Sequence, residues 1–324
     1  MAYTTGSFKT TDAIGNREDL SDVIYNISPT ETPFMSMIAG KGKAKATYHE
    51  WQIDALAAAG INSVVEGNDA VYSTSTPTTR VGNRTQISEK LVSVTGTQEA
   101  VDKAGRNSEY RYQLALRGQE IKRDMEFGLT GNYASSAGSG SVPRRLGSLE
   151  AWFETNSQRS ATNGADGGFS GGNVAAATDE TAGGLRTITE AMLKTAMQQA
   201  WTAGGKPEYV LCGPVNKQKI SAFAGIATLY RDTGSQMKQA SIMGAADVYV
   251  SDFGQVKIIP SRFSRERTVT VLDPTYWEVG YLRPFKQQEL AKTGDAMKGM
   301  LNVEYTLVSK NEAASAVIAD LLTS

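Results

Sequence analysis

The chain has 324 residues, with 33 Lys and Arg against 34 Asp and Glu, for a formal net charge of −1. That balance excludes a globally cationic binder of nucleic acid or of an anionic membrane. The length suffices for a sizeable core in two compact lobes, or in one lobe with extensions.

Hydrophobic residues make up 40% of the chain and glycines number 32, a composition suited to extended parts whose burial is completed by neighbours. Cys212 is the single cysteine, so no internal disulfide forms and nothing points to an oxidising compartment. The start, Met1 to Gly6, lacks a basic-plus-apolar leader. No run approaches the ~18 apolar residues of a membrane-spanning helix. Synthesis and folding in a cytoplasm, with no membrane partner, is the expectation.

Residues 1–40 read as an arm. Asp19–Ile27 has weak helical character, and Ser28-Pro29 and Thr32-Pro33 then interrupt it. Phe34, Met35, Met37 and Ile38 follow as an apolar anchor. Residues 41–97 predict a long β-hairpin with strands Lys43–Ile53 and Thr85–Thr95. Its tip is rich in Ala, Gly, Asn, Ser and Thr, with scattered Leu56, Ile61, Val64, Val65, Val71 and Tyr72. A two-stranded hairpin alone is marginal in water, and so long a connection with so little to bury is unusual in one compact domain. Its missing partner is most simply a second copy of the chain. Tyr48, Trp51, Ile53, Ile87 and Leu91 on the strands, with Phe34 and Met37 on the arm, are the candidate contacts between copies.

A polar helix is predicted over about 107–130, capped by Asn107 or Ser108. Its stripe is Tyr110, Leu114, Gly118, Ile121, Met125 and Leu129, and Gly131-Asn132 ends it as a left-handed cap. Residues 131–184 contain two flexible Gly/Ser/Ala/Asn tracts, with the apolar run Pro143–Phe153 between them. An α/β lobe follows. A capping box at Thr187 and Glu190 opens a helix that Gly204-Gly205 and Pro207 stop. Strands are expected at Glu208–Cys212, Asp247–Val250, Gln255–Ile259, Thr268–Leu272 and Tyr276–Tyr281, with a short helix at Asn216–Phe223. Leu301 to Leu307 alternates as a half-exposed strand, and Phe285–Ala291 can pair with it across a turn at Lys292–Asp295.

The residues offer little chemistry. His49 is the only histidine and sits on the hairpin, away from any rigid scaffold. Cys212 lies in an apolar run and reads as a buried structural thiol. One His and one Cys make no tetrahedral zinc site, and no EF-hand, phosphate loop or nucleophile elbow occurs. Asp252-Phe253-Gly254 matches part of a kinase signature but lacks its companions, so it reads as a turn between strands. No catalytic, cofactor-binding or metal residue is assigned. Basic residues cluster at Arg144 and Arg145, and at Arg262, Arg265 and Arg267; they are candidates to face DNA or another subunit.

The order of parts resembles the major capsid proteins of tailed bacteriophages with the Hong Kong 97-type fold. The likeness extends to Thr30-Glu-Thr-Pro-Phe34, Gly147-Ser-Leu-Glu-Ala-Trp152, Trp201-Thr-Ala-Gly-Gly-Lys-Pro207, Tyr281-Leu-Arg-Pro-Phe285 and Glu289-Leu-Ala-Lys-Thr-Gly294. The resemblance implies an α+β structural protein and no enzyme. It implies an N-terminal arm at 1–40, an extended loop at 41–97, a peripheral domain at 98–185 plus 283–324, and an axial domain at 186–282. It further implies an icosahedral shell of pentamers and hexamers enclosing double-stranded DNA, bound without sequence preference. Portal, scaffolding or decoration proteins are the other implied partners, and the host cytoplasm is the implied place of assembly. The alternative is an adhesion or binding protein forming a small oligomer and using the Gly/Ser-rich 134–173 region.

Overall fold

The computed structural model describes residues 28–38, 40–69, 72, 77–160, 162–223 and 248–323. The helix expected over Asp19–Ile27 lies outside them.

A 22-residue helix, α3 (Glu109–Thr130), forms the spine, about 33 Å long at ~1.5 Å per residue. Ser108 caps it by accepting the Arg111 N–H. Ile121, Met125 and Leu129 of the predicted stripe are wholly buried. The predicted left-handed cap is not formed, for Gly131 is extended at φ −73°. Gly131 is needed for closeness instead, since a Cβ there would meet the Tyr133 ring at 2.3 Å.

The spine packs on a four-stranded sheet in the order β1 (Gly40–Lys43), β12 (Trp277–Glu289), β13 (Ala296–Ser309) and β4 (Gln86–Thr95). The two strands expected at 276–281 and 285–291 are one continuous β12, and the boundary drawn at 282/283 falls inside it. Its register against β13 shifts between Tyr281 and Lys286. Pro284 sits there, and without an N–H it cannot donate to a ladder.

The hairpin differs from expectation. β2 (Tyr48–Ile53) pairs with β3 (Thr79–Arg84), not with 85–95. Residues 86–95 instead form β4 and add to β13, with Leu91 opposite Met300. The reason lies in β4's alternation, where Val92 and Val94 are buried with Tyr110 of the spine. A strand paying that face to the spine sheet belongs there rather than to a free arm.

A six-stranded sheet makes the second layer, in the order β5 (Ser157–Gln158), β14 (Ala316–Ile318), β11 (Val269–Leu272), β8 (Tyr209–Cys212), β10 (Gly254–Pro260) and β9 (Val248–Ser251). Helices α4 (Glu190–Thr202) and α5 (Pro214–Ser221) cover it. Leu193, Ala196, Met197 and Ala200 bury the α4 face into the core with Val210, Val269 and Ile318. Thr189, not Thr187, caps α4 by accepting the Met192 N–H, so the predicted capping box is not made. Gly204 ends the helix at φ +86°, a left-handed conformation that favours glycine. The Asp252-Phe253-Gly254 triplet is the tight turn between β9 and β10.

One apolar cluster joins the two sheets. It holds Phe34, Ile121, Leu149, Trp152, Phe153, Leu211, Trp277, Tyr305 and Val317. The run around Gly147–Trp152 is therefore central core. A short helix, α1 (Pro33–Met37), is held to the spine by Glu126. That carboxylate is wholly buried and accepts the N–H groups of Phe34 (2.6 Å) and Met35 (2.9 Å). Burial pushes its pKa up to about 7, against the opposing pull of those two N–H groups.

Candidate assembly interface

The stem of the hairpin is fastened to its own chain. Asn83, fully buried on β3, donates from Nδ2 to the carbonyls of Gly147 (2.9 Å) and Leu307 (2.8 Å) and accepts from the Gly147 N–H (2.8 Å). The Trp51 indole donates to the Ser309 carbonyl at 2.8 Å, and the Tyr48 hydroxyl to the Gly172 carbonyl at 2.8 Å. Trp51 also lies 5.7 Å from Trp152, which stacks on Phe169 at 5.9 Å. Gly168–Ser170 and Asn173–Ala175 form the small β6–β7 ribbon that carries Phe169.

Between the outer end of the stem and the body the chain opens a cleft of about 980 Å³, lined by Trp152, Phe169 and Tyr276 on the body and by Ile53, Leu56 and Val81 on the hairpin. Two buried polar atoms at this cleft, Trp152 Nε1 and Ser309 Oγ, have no hydrogen-bond partner.

The described residues of the tip beyond Ile53 are exposed. Leu56 is 100%, Ile61 96% and Tyr72 95% exposed, and Val64 and Val65 are also exposed. Lone exposed apolar residues are ordinary, but a run of them on an extension marks an interaction surface.

The predicted contact residues divide accordingly. Ile87 and Leu91 are exposed on the β4 face turned from the spine, and Ile53 edges the cleft. Phe34 is 1% exposed and belongs to the chain's own core, while Met37 packs half-buried against the same cluster. Tyr48 and Trp51 already have partners within the chain. Of the seven, Phe34 alone is fully buried in the chain's own core.

The arginines divide too. Arg144 donates from Nε to the Thr85 carbonyl (2.7 Å) and pairs with Glu304, which Arg283 also reaches at 2.9 Å. This network, with the Thr85 hydroxyl donating to Glu304 at 2.8 Å, pins the corner between β3 and β4. Arg265 pairs with buried Glu150 at 2.8 Å and with Asp179, and Arg267 donates to the Glu180 carbonyl. These three are structural. Burial pushes Glu150's pKa up while Arg265 and Arg159 pull it back. Only Arg145 and Arg262 of the five are exposed. Sequence reasoning missed Glu304, Glu150 and Asn83; no local pattern marks a polar residue whose partners lie tens to hundreds of positions away.

Among the described residues neither His49 nor Cys212 is placed for catalysis. His49 is half-buried 5.7 Å from Trp51, its pKa lowered by burial, and it does not line the cleft. Cys212 is fully buried and its thiol pushed up to about 12, which makes it inert. Among the described residues no group of three or more His, Cys, Asp or Glu could hold a metal ion. Among them, too, no helix is long and apolar enough to cross a membrane.

The sequence matches the profile of the SU10 major capsid protein over residues 4–322. The chain belongs to that family. It is 30% identical to the major capsid protein of Escherichia phage Phieco32, over 96% of each chain. Solved structures share the Hong Kong 97-type fold at low identity. The capsid of cyanophage A-1(L) is 13% identical with a TM-score of 0.66, covering 98% of this chain and 99% of that one. Microbacterium phage Oxtober96 gives 13% and 0.61, covering 96% and 98%. An encapsulin complex from Synechococcus elongatus gives 12% and 0.54, covering 98% and 97%. The fold is thus common to phage heads and encapsulins, and the family match is what separates them. This chain is a structural shell protein of a phage virion and not an enzyme, as the resemblance implied.

Proposed function

We propose that the chain builds an icosahedral head of pentamers and hexamers around double-stranded DNA, and that the hairpin tip of each copy lies on its neighbour. In this reading residues 28–40 belong to the N-terminal arm and 48–84 to the extended loop. The spine sheet forms the peripheral domain and the six-stranded sheet the axial domain. Portal, scaffolding and decoration proteins are supplied separately, and assembly takes place in the host cytoplasm.

The observation that carries the reading is the fully exposed apolar tip on a stem bolted to its own body. Its receiver in this reading is the cleft of the next copy, lined by Trp152, Phe169 and Tyr276. The stretch 55–65 suits it, being uncharged from Ala55 to Val65, because Asp54, Glu154 and Glu312 outnumber Lys310 at the cleft and would repel an acidic guest. Such a tip-into-cleft contact is heterologous, the kind that builds rings where the rotation between copies closes.

Replacing Ala55–Thr78 with one glycine leaves Asp54-Gly, a two-residue turn suited to a hairpin. The expected product is a folded, helical, soluble chain that forms no shells in the electron microscope. Normal particles from this variant would refute the reading. Saturable binding to a cell surface by a small closed oligomer would favour the adhesion alternative.

A further inference from the structure

One described surface combines cations with an exposed aromatic ring and two half-buried ones. Phe127 projects from the spine at 54% exposure, and its ring lies 6.1 Å from that of Tyr133. The Arg145 guanidinium sits 5.3 Å over Tyr133. On the other flank the Arg123 guanidinium lies 5.7 Å over the Phe263 ring, and exposed Arg262 directly precedes it. Arg123, Phe127 and Thr130 share one helical face, and the Thr130 hydroxyl donates to the Phe263 carbonyl at 3.2 Å. Lys122 is exposed beside Arg123.

Four of the neighbouring acids are engaged elsewhere. Asp124 pairs with Lys90 at 2.7 Å, and Glu126 is buried under the arm helix. Asp179 and Glu150 hold Arg265. The chain's net charge is −1, so four cations gathered here leave the rest of the surface net acidic. The two exposed arginines out of the five basic candidates both fall on this patch.

We propose that this patch, Arg123, Phe127, Tyr133, Arg145 and Arg262 with Lys122, is the surface the chain presents to double-stranded DNA. It rests on the reading of the chain as a DNA-enclosing shell and says which face lines the lumen. Guanidinium groups pair with phosphate oxygens in bidentate fashion. Rings that hold two of them in place lower the entropy lost on contact, and nothing in the patch is shaped to read bases. Binding is therefore electrostatic, salt-dependent and indifferent to sequence.

The test uses the unassembled full chain and a labelled 30-bp duplex, with anisotropy read between 50 and 200 mM salt. The triple variant Arg123→Gln, Arg145→Gln, Arg262→Gln should bind at least tenfold more weakly at 100 mM salt. Its log–log salt slope should fall by about 3. A control triple, Lys206→Gln, Lys257→Gln, Lys286→Gln, removes three exposed cations elsewhere and should stay within about threefold of the wild type. Equal losses in the two triples, no loss in the first, or no wild-type binding would each overturn the assignment. Should the first triple misfold by circular dichroism, Arg145→Gln, Arg262→Gln alters only exposed side chains and should show a slope smaller by about 2. Electron microscopy separates the two readings. Wild-type shells with unaltered DNA binding in the variant defeat only the face assignment, whereas no wild-type shells defeats the shell reading itself.

Discussion

The stem and the tip of the hairpin are a few residues apart in sequence and opposite in physics. Three polar side chains of the stem find partners in their own chain: Asn83 in Gly147 and Leu307, Trp51 in Ser309, Tyr48 in Gly172. The tip, from Leu56 to Tyr72, shows apolar side chains up to fully exposed. In the proposed reading the stem supplies the aim and the tip supplies the contact with a neighbouring copy.

That contrast predicts where substitutions hurt. The largest effect on stability should come from Asn83→Leu. It strands the Gly147 N–H and two carbonyls in the core and should cost about 3 kcal/mol in chemical denaturation. An unchanged midpoint would mean that the stem is not bolted as described.

A comparable effect should appear with pH at the arm. Glu126 has a folded-state pKa of about 7, above the ordinary ~4.5, so the native state binds this proton more tightly than the unfolded state does. Its contribution to stability is full below about 4.5 and is lost as pH rises through 7, amounting to about 3 kcal/mol. Glu126→Gln should flatten that part of the pH profile in thermal unfolding. A variant profile that keeps the full slope would place the titration elsewhere.

Trp51→Ala removes a half-buried ring, its contact with Trp152 and the bond to Ser309. About 2 kcal/mol of stability should go with it. Smallest of all for folding, Leu56→Ser with Ile61→Ser should change stability by less than about 0.5 kcal/mol while abolishing shells. A tip variant that destabilised the monomer as much as Trp51→Ala would erase the distinction between stem and tip.

Much of this architecture is legible in the sequence, and the reasons are local. The spine announces itself through a 3.6-residue stripe at Ile121, Met125 and Leu129, and β8 through the apolar run Tyr209–Cys212. The glycine stop at Gly204 follows from its left-handed φ. What the sequence hides is pairing. Residues 79–84 read as the end of a tip because Thr79, Arg80, Gly82, Asn83 and Arg84 carry no strand pattern, yet they are β2's partner. Their burial comes from Asn83 and from Val81 against the body, which only the fold brings near. Likewise Arg144 and Arg265 look like free cations until Glu304 and Glu150 arrive from 160 and 115 positions away. Arg145, next to Arg144, stays outside, so neighbours in sequence received opposite tasks.

Hydrogen–deuterium exchange, compared between unassembled chain and purified shells, tests the central claim most directly. Amides of the stem, 48–53 and 79–84, should be protected in both states. Those of 55–65 should exchange freely in the unassembled chain and become protected only in shells. Equally fast exchange of 55–65 in both states would contradict the account.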